Sequence, residues 1–177
     1  MSGIRFSTEH AADDALLVRE ARAGDERAFS ALYGRYARMI HGLLLARVPR
    51  LEVDDIVQDV FVTAWTRLDS LRDPAAFGGW LSMIARNRAT DYHRHAIERA
   101  ELPPYLEAPG RTGALSEAHQ VLDEIRTLPE AYRETLVLRL VEGMTGPEIA
   151  QRTGLTPASV RVNLHRGMKL LRERLDR

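Results

Sequence analysis

Apolar residues recur at steps of three and four through nearly all of the chain. That repeat collapses in one place, where Pro103, Pro104, Pro109, Gly110 and Gly113 crowd together. A three-and-four repeat specifies helices with one buried stripe. Adjacent prolines stop a helix and favour extended chain. No strand-like alternation of useful length interrupts the pattern. The predicted fold is therefore all-α: two small helical domains, residues 1–97 and 116–177, joined by a flexible Pro/Gly-rich linker over 98–115. Either half is small for a hydrophobic core, so each must be compactly helical or lean on a partner.

In the first half a helix is expected over 13–23, ending before Gly24, and Asp25 is placed to cap a second. Phe29, Tyr33, Tyr36, Ile40 and Leu43 form the second helix's stripe, which fades near Pro49. A third helix begins near Val53, with the pairs Ile56/Val57, Val60/Phe61 and Ala64/Trp65 followed by Leu68. After a polar turn over 69–72, Asp73 is expected to cap a fourth helix with Pro74 at its first position. Gly78-Gly79 suits close packing or a bend there rather than a phosphate loop.

The second half reads as four helices. Ser116 is the expected cap of the first, with Val121, Leu122, Ile125 and Leu128 inward; Pro129 opens the next, which carries Leu136, Leu140 and Val141 and stops at Gly143. Thr145 and Glu148 have capping-box spacing. The short helix they start ends at Gly154, and Thr156-Pro157 opens the last, striped by Val160, Leu164, Leu171 and Leu175. Short helix, glycine turn and basic helix make a helix-turn-helix, whose second helix lies in the DNA major groove. At 100° per residue, Ala158, Val162, His165, Arg166 and Lys169 face away from the stripe, with Arg161 and Asn163 on its flanks. Arg161 is suited to guanine, Asn163 to adenine and Val162 to a thymine methyl. Ser159 and the helix's amide end are suited to phosphate. The competing reading is a surface helix with a solvated basic face.

Net charge is zero, 25 basic against 25 acidic residues, which is unusual for a nucleic-acid binder. The charges are unevenly placed, however. Glu52, Asp54, Asp55 and Asp59 cluster without a base, while Arg161, Arg166, Lys169, Arg172 and Arg174 face Glu173 alone. Such a chain can hold a basic protein at one place and phosphates at another. The absence of cysteine excludes disulfides and zinc-thiolate sites in this chain. No apolar run reaches the ~20 residues of a membrane helix, and the N-terminus lacks a signal core, so a cytoplasmic protein without membrane insertion is expected. Walker, Gly-x-Ser-x-Gly and His-Glu-x-x-His motifs are missing; no cofactor or metal is expected, and Asp91 with His95 is read as a surface pair.

Two stretches resemble one family, the extracytoplasmic-function sigma factors of the sigma-70 type. The first runs from Gly24-Asp25 through Phe29 and Tyr33, then Asp54-Asp55-Ile-Val-Gln58-Asp59-Val-Phe61, Phe77-Gly-Gly-Trp80-Leu81 to Asn87, and Asp91 with Arg94. The second comprises Leu128-Pro129, Leu138 to Gly143, Glu148-Ile-Ala150, Ser159-Val-Arg161 and Leu164-His-Arg166. The resemblance implies a transcription-initiation factor that brings core RNA polymerase, through its β′ and β subunits, to promoters. It assigns polymerase docking to Asp54, Asp55, Gln58, Asp59 and Phe61, although helix capping also explains one of the two adjacent aspartates. It assigns the melted −10 strand to Asp69, Ser70, Leu71, Arg72 and Asp73, then Asn87, Asp91 and Arg94, with Arg86 and Arg88 on phosphates. Asn87 could instead satisfy buried backbone, and Trp80 reads better as core than as a stacking platform. It assigns the duplex −35 element to Ser159, Arg161, Val162, Asn163, His165, Arg166 and Lys169, and it implies an anti-sigma partner. Catalysis belongs to the polymerase, so the chain is not expected to be an enzyme. Pro147, Val162, Asn163 and Met168 depart from the family's commoner residues, so a −35 sequence does not transfer. The rival is a stand-alone helix-turn-helix regulator that binds duplex DNA unaided.

Overall fold

The computed structural model describes residues 3–100 and 117–176, and among them only helices and turns occur. Eight α-helices follow in order: α1 (Gly3–Arg22), α2 (Glu26–Leu45), α3 (Val53–Thr66), α4 (Phe77–Ala100), α5 (Glu117–Arg126), α6 (Glu130–Leu140), α7 (Gly146–Thr153) and α8 (Pro157–Leu175). Short 3-10 turns at Arg50–Glu52, Leu68–Ser70 and Pro74–Ala76 lead into or out of them. The expected cap at Ser116 and the stretch 101–115 lie outside the described residues.

The punctuation residues act as their chemistry requires. Asp25 accepts from the amides of Arg27 (2.8 Å) and Ala28 (3.4 Å) to start α2. Asp73 accepts from Ala75 at 3.0 Å, but it caps the 3-10 turn that precedes α4 rather than α4 itself. Two helices outrun the periodicity. α1 starts ten residues before the expected 13, because 3–12 hold no interior breaker although their apolar residues are sparse. α4 continues past residue 97 to Ala100. Tyr33 and Trp65 are 44% and 39% exposed although expected on stripes, and three further stripe residues are about half exposed: Leu140, Val141 and Leu175. Each of these three sits at the last turn or cap of its helix, where the chain leaves the core.

The first four helices wrap a core of Leu32, Met39, Ile40, Leu43, Val60, Phe77 and Leu81, all fully buried. α5–α8 enclose Ile125, Leu136, Leu138 and Ile149. These two sets join into one hydrophobic cluster, with α2 and α4 packed directly on α6 and α7. Two glycines make that approach possible. A Cβ on Gly42 of α2 would stand 2.8 Å from both Glu142 and Leu138 side chains. A Cβ on Gly78 would stand 2.3 Å from the Arg152 carbonyl, so the expectation of close packing at Gly78 is met by the other half of the chain.

Polar contacts trace the same seam. Arg126 donates to the carbonyls of Leu45 and Val48, both at 3.0 Å, satisfying backbone at the end of α2. Arg152 donates to the Arg35 carbonyl at 2.9 Å. Glu134 and Glu142, both buried, face four basic side chains of the first half: Arg47 and Arg86 hold Glu134, while Arg38 and His41 hold Glu142.

Candidate nucleic-acid interface

The helix-turn-helix is built by local chemistry. Thr145 and Glu148 form a reciprocal capping box, with the Thr145 amide donating to Glu148 at 2.7 Å. That bond, together with one from the Thr145 hydroxyl, holds the Glu148 carboxyl below the ordinary carboxylate range. Gly154 closes α7 at φ 75°, a left-handed conformation that a Cβ disfavours. Thr156 caps α8 through the Ser159 amide at 3.1 Å. Val160 and Leu171 turn inward, and Gly167 lets α8 press on Leu136 and Tyr132.

This leaves one face of α8 outward. Ser159, Arg161, Val162, His165, Arg166 and Lys169 are all exposed, and Asn163 is half-buried at the edge. The Ser159 hydroxyl lies 2.8 Å from that of Thr156, inside the cap, and Lys169 lies 4.0 Å from Glu173. An apolar groove lined by Pro147, Pro157, Ala158 and Leu164 runs beside Arg161.

On α3, Asp54, Asp55, Gln58 and Asp59 are exposed along one face. The N-cap position is Glu52 and carries no side-chain cap bond, so the capping reading of Asp54 or Asp55 fails; both stand in the first turn. There they complement the helix dipole. Phe61 is corrected: at 4% exposure it is a core residue. Its ring meets Phe29 at 6.4 Å and Tyr33 at 4.6 Å between centroids, and it cannot touch a partner while folded.

The loop after α3 is pinned from a place the sequence reading missed. Arg22, at the end of α1, donates to the Leu68 carbonyl (3.2 and 3.0 Å) and to the Leu71 carbonyl. Asp69, Ser70, Arg72 and Asp73 are exposed on that loop, but Leu71 is corrected to a buried anchor, 5% exposed. Arginine in a last helical turn suggests only dipole compensation; nothing in the spacing points it at a loop 46 residues away.

On α4, Asn87 is exposed, so it is not consumed by buried backbone. Arg88 donates to the Thr63 hydroxyl at 2.7 Å, and Asp91 pairs with Arg94 at 3.0 Å. Trp80 is half-buried against the core beside Phe77, as expected of packing. Arg86 differs from expectation. Its Nε and Nη2 donate to the two oxygens of Glu134 at 3.0 and 2.8 Å, and that fork raises its pKa above the ordinary value. Among the described residues no cluster of three or more metal-ligating side chains forms, and no helix is long and apolar enough to cross a membrane.

Comparisons with known proteins agree with this layout. A family model for Sigma-70 region 2 matches residues 32–97, and one for Sigma-70, region 4 matches residues 118–171. The RNA polymerase sigma factor CnrH of Cupriavidus metallidurans is 32% identical, aligned over 92% of this chain and 94% of its own. The ECF RNA polymerase sigma-E factor of Escherichia coli K12 is 32% identical over 89% and 92%. Among solved structures, CnrH in complex with the cytosolic domain of CnrY matches with TM-score 0.62 at 30% identity, covering 93% of this chain and 97% of that one. The sigma factor RpoE in complex with the anti-sigma factor NepR from Bartonella quintana shares the fold at TM-score 0.57 and 19% identity, covering 84% and 96%.

Proposed function

The chain belongs to the extracytoplasmic-function branch of the sigma-70 family and is an RNA polymerase sigma factor, and from that premise we propose how its surfaces divide the work. Residues 1–97 form the unit that docks on core polymerase and takes the melted −10 strand. Residues 116–177 form the unit that reads the −35 duplex, and 98–115 tether them. What carries the reading is one chain presenting two unlike faces: the acids Asp54, Asp55 and Asp59 with Gln58 on α3, and the basic outward side of α8.

Docking uses the acidic face against a basic partner surface. Exposed charge of this kind sets encounter rate and register more than affinity. In the promoter, Asp69, Ser70 and Arg72 on the pinned loop and Asn87, Arg88, Asp91 and Arg94 on α4 face the unpaired strand. Leu71 and Phe61 hold those surfaces in place from the core. Arg161, Val162 and Asn163 meet base edges in the major groove, and Ser159, His165, Arg166 and Lys169 meet backbone. Two moderate sites on one tether gain effective concentration, so a neutral chain suffices when polymerase supplies further DNA contacts. The chain performs no catalysis itself and works in the cytoplasm. By likeness to CnrH, solved with the cytosolic domain of CnrY, it takes an anti-sigma protein as its inhibitor.

The test is transcription in vitro with purified core enzyme over a promoter library. New start sites with a shared −10 and −35 pattern are expected from the wild type. Asp54→Lys combined with Asp59→Lys should abolish them by weakening core binding while leaving helicity unchanged. Tight, specific duplex binding without polymerase would favour the stand-alone regulator instead.

A further inference from the structure

Both helices of the helix-turn-helix open on proline. Pro147 stands in the first turn of α7 and Pro157 in the first turn of α8. Neither carries an amide hydrogen. Two further amides are spent on caps: that of Glu148 on the Thr145 hydroxyl, and that of Ser159 on the Thr156 hydroxyl. A helix start ordinarily attracts phosphate through such donors. Here the two starts flank a groove of about 460 Å³. Its exposed walls are Pro147, Pro157 and Ala158, with Leu164 half-buried beside them and Val160 buried as the floor. Gly146 keeps that floor open, since a Cβ there would rest on Val160 at 3.9 Å. Among the described residues that line the groove, Arg161 on its rim is the charged one.

A recognition helix meets base edges with its N-terminal residues, and the groove lies along that part of α8. Walls of this kind offer phosphate few donors, and they offer base nitrogens and carbonyls no partner. In the major groove a base pair displays one apolar group, the C5-methyl of thymine. Ala158 and Arg161 are three residues apart, so they share a face and stand about 4.5 Å apart along the axis. That is little more than one base-pair step of about 3.4 Å. A base held in the groove is therefore one or two steps from the pair that Arg161 contacts. Pro147 departs from the family's commoner residue, so this wall belongs to this chain rather than to the family at large.

We propose that this groove receives thymine methyl groups of the −35 duplex, so that the factor selects thymine one or two base pairs from the pair held by Arg161. The inference deepens the −35 reading of α8 and rests on it. Arg161 supplies charge and hydrogen bonds at the rim, and the groove supplies an apolar seat beside it. Val162 lines a separate hollow with Arg161, His165 and Arg166, so a methyl placed in the groove is distinct from one packed on Val162.

Deoxyuridine in place of thymine tests it, because that exchange removes one methyl and keeps every hydrogen bond. The probe is a promoter taken from the in vitro library, labelled and bound by holoenzyme built from the full chain and core polymerase. The pair contacted by Arg161 is located by the altered base preference of Arg161→Ala. Deoxyuridine one or two steps from that pair should weaken closed-complex binding about fourfold, the effect of leaving one buried methyl out. Gly146→Leu fills the groove from its floor, where Val160 is the nearest neighbour, and leucine is a better helix former than glycine. Thymine and deoxyuridine duplexes should bind that variant alike. Val162→Ala should keep the fourfold difference, which holds the test open even if Gly146→Leu fails to fold. A difference that survives in Gly146→Leu, or vanishes in Val162→Ala, assigns the methyl to Val162 and overturns the groove. Wild-type binding indifferent to deoxyuridine throughout the −35 element also overturns it and leaves the groove to an apolar protein segment. Start sites without a methyl effect sink the groove alone; a library without start sites sinks the −35 reading and the groove with it.

Discussion

Replacing Arg22 with alanine should loosen the promoter-strand loop without touching the polymerase-docking face. Arg22 donates three bonds to two backbone carbonyls, those of Leu68 and Leu71. A hydrogen bond from a charged donor contributes about 1.5–3 kcal/mol net. The Arg22 side chain is 24% exposed, so water recovers part of this. A loss near the lower end, about 2 kcal/mol, raises the open population of the loop roughly thirtyfold. Hydrogen exchange reads that directly at the Ser70 and Leu71 amides, which bond to the Arg67 and Leu68 carbonyls at 2.9 and 3.2 Å. Exchange there should accelerate by a similar factor while amides in α2 stay protected. Permanganate reactivity of the −10 region should fall in parallel, with core affinity unchanged. Arg22→Lys should rescue little, because a point charge cannot serve two carbonyls as a planar fork does. If Ser70 and Leu71 exchange at wild-type rates in Arg22→Ala, the pinning argument is wrong.

Phe61→Ala should cost about 3–5 kcal/mol of stability in chemical denaturation, whereas Asp59→Ala on the same helix should change it by less than about 0.5; similar small losses for both would return Phe61 to the surface. Arg161→Ala should remove about 1–3 kcal/mol of discrimination at one −35 base pair, read as a flattened preference in a promoter library, and an unaltered profile refutes the contact. Glu148 titrates below its ordinary 4.5, so its stabilisation is present above that pH and fades as pH falls through the lowered value. The melting-temperature gap between wild type and Glu148→Gln should therefore close on acidification. Because the carboxylate is exposed the gap will be small, and a gap independent of pH contradicts the capping-box account.

Elements governed by neighbours in sequence were legible: Asp25, Thr145 with Glu148, Gly154 and Thr156 each act within four residues. Positions at 100° spacing placed the outward face of α8 correctly for the same reason. Features that depend on what arrives from elsewhere were not. Phe61 sits in a motif with Asp59, yet two residues further on, about 200° round the helix, it faces inward. Glu134 and Glu142 carry no local signal of their buried pairing, since their partners lie 48 to 104 residues away. Gly42 carried no turn signal at all, because its role is the absence of a side chain against a distant helix.

The setting of Glu134 has a consequence for ionic strength. Its bonds to Arg47 and Arg86 lie among side chains that expose 9%, 14% and 32% of their surface, so dissolved ions screen the contact weakly. An exposed pair such as Lys169 with Glu173 on α8 is screened far more readily. Raising salt should therefore loosen the surface pairs first and leave the seam between the two halves of the chain in place.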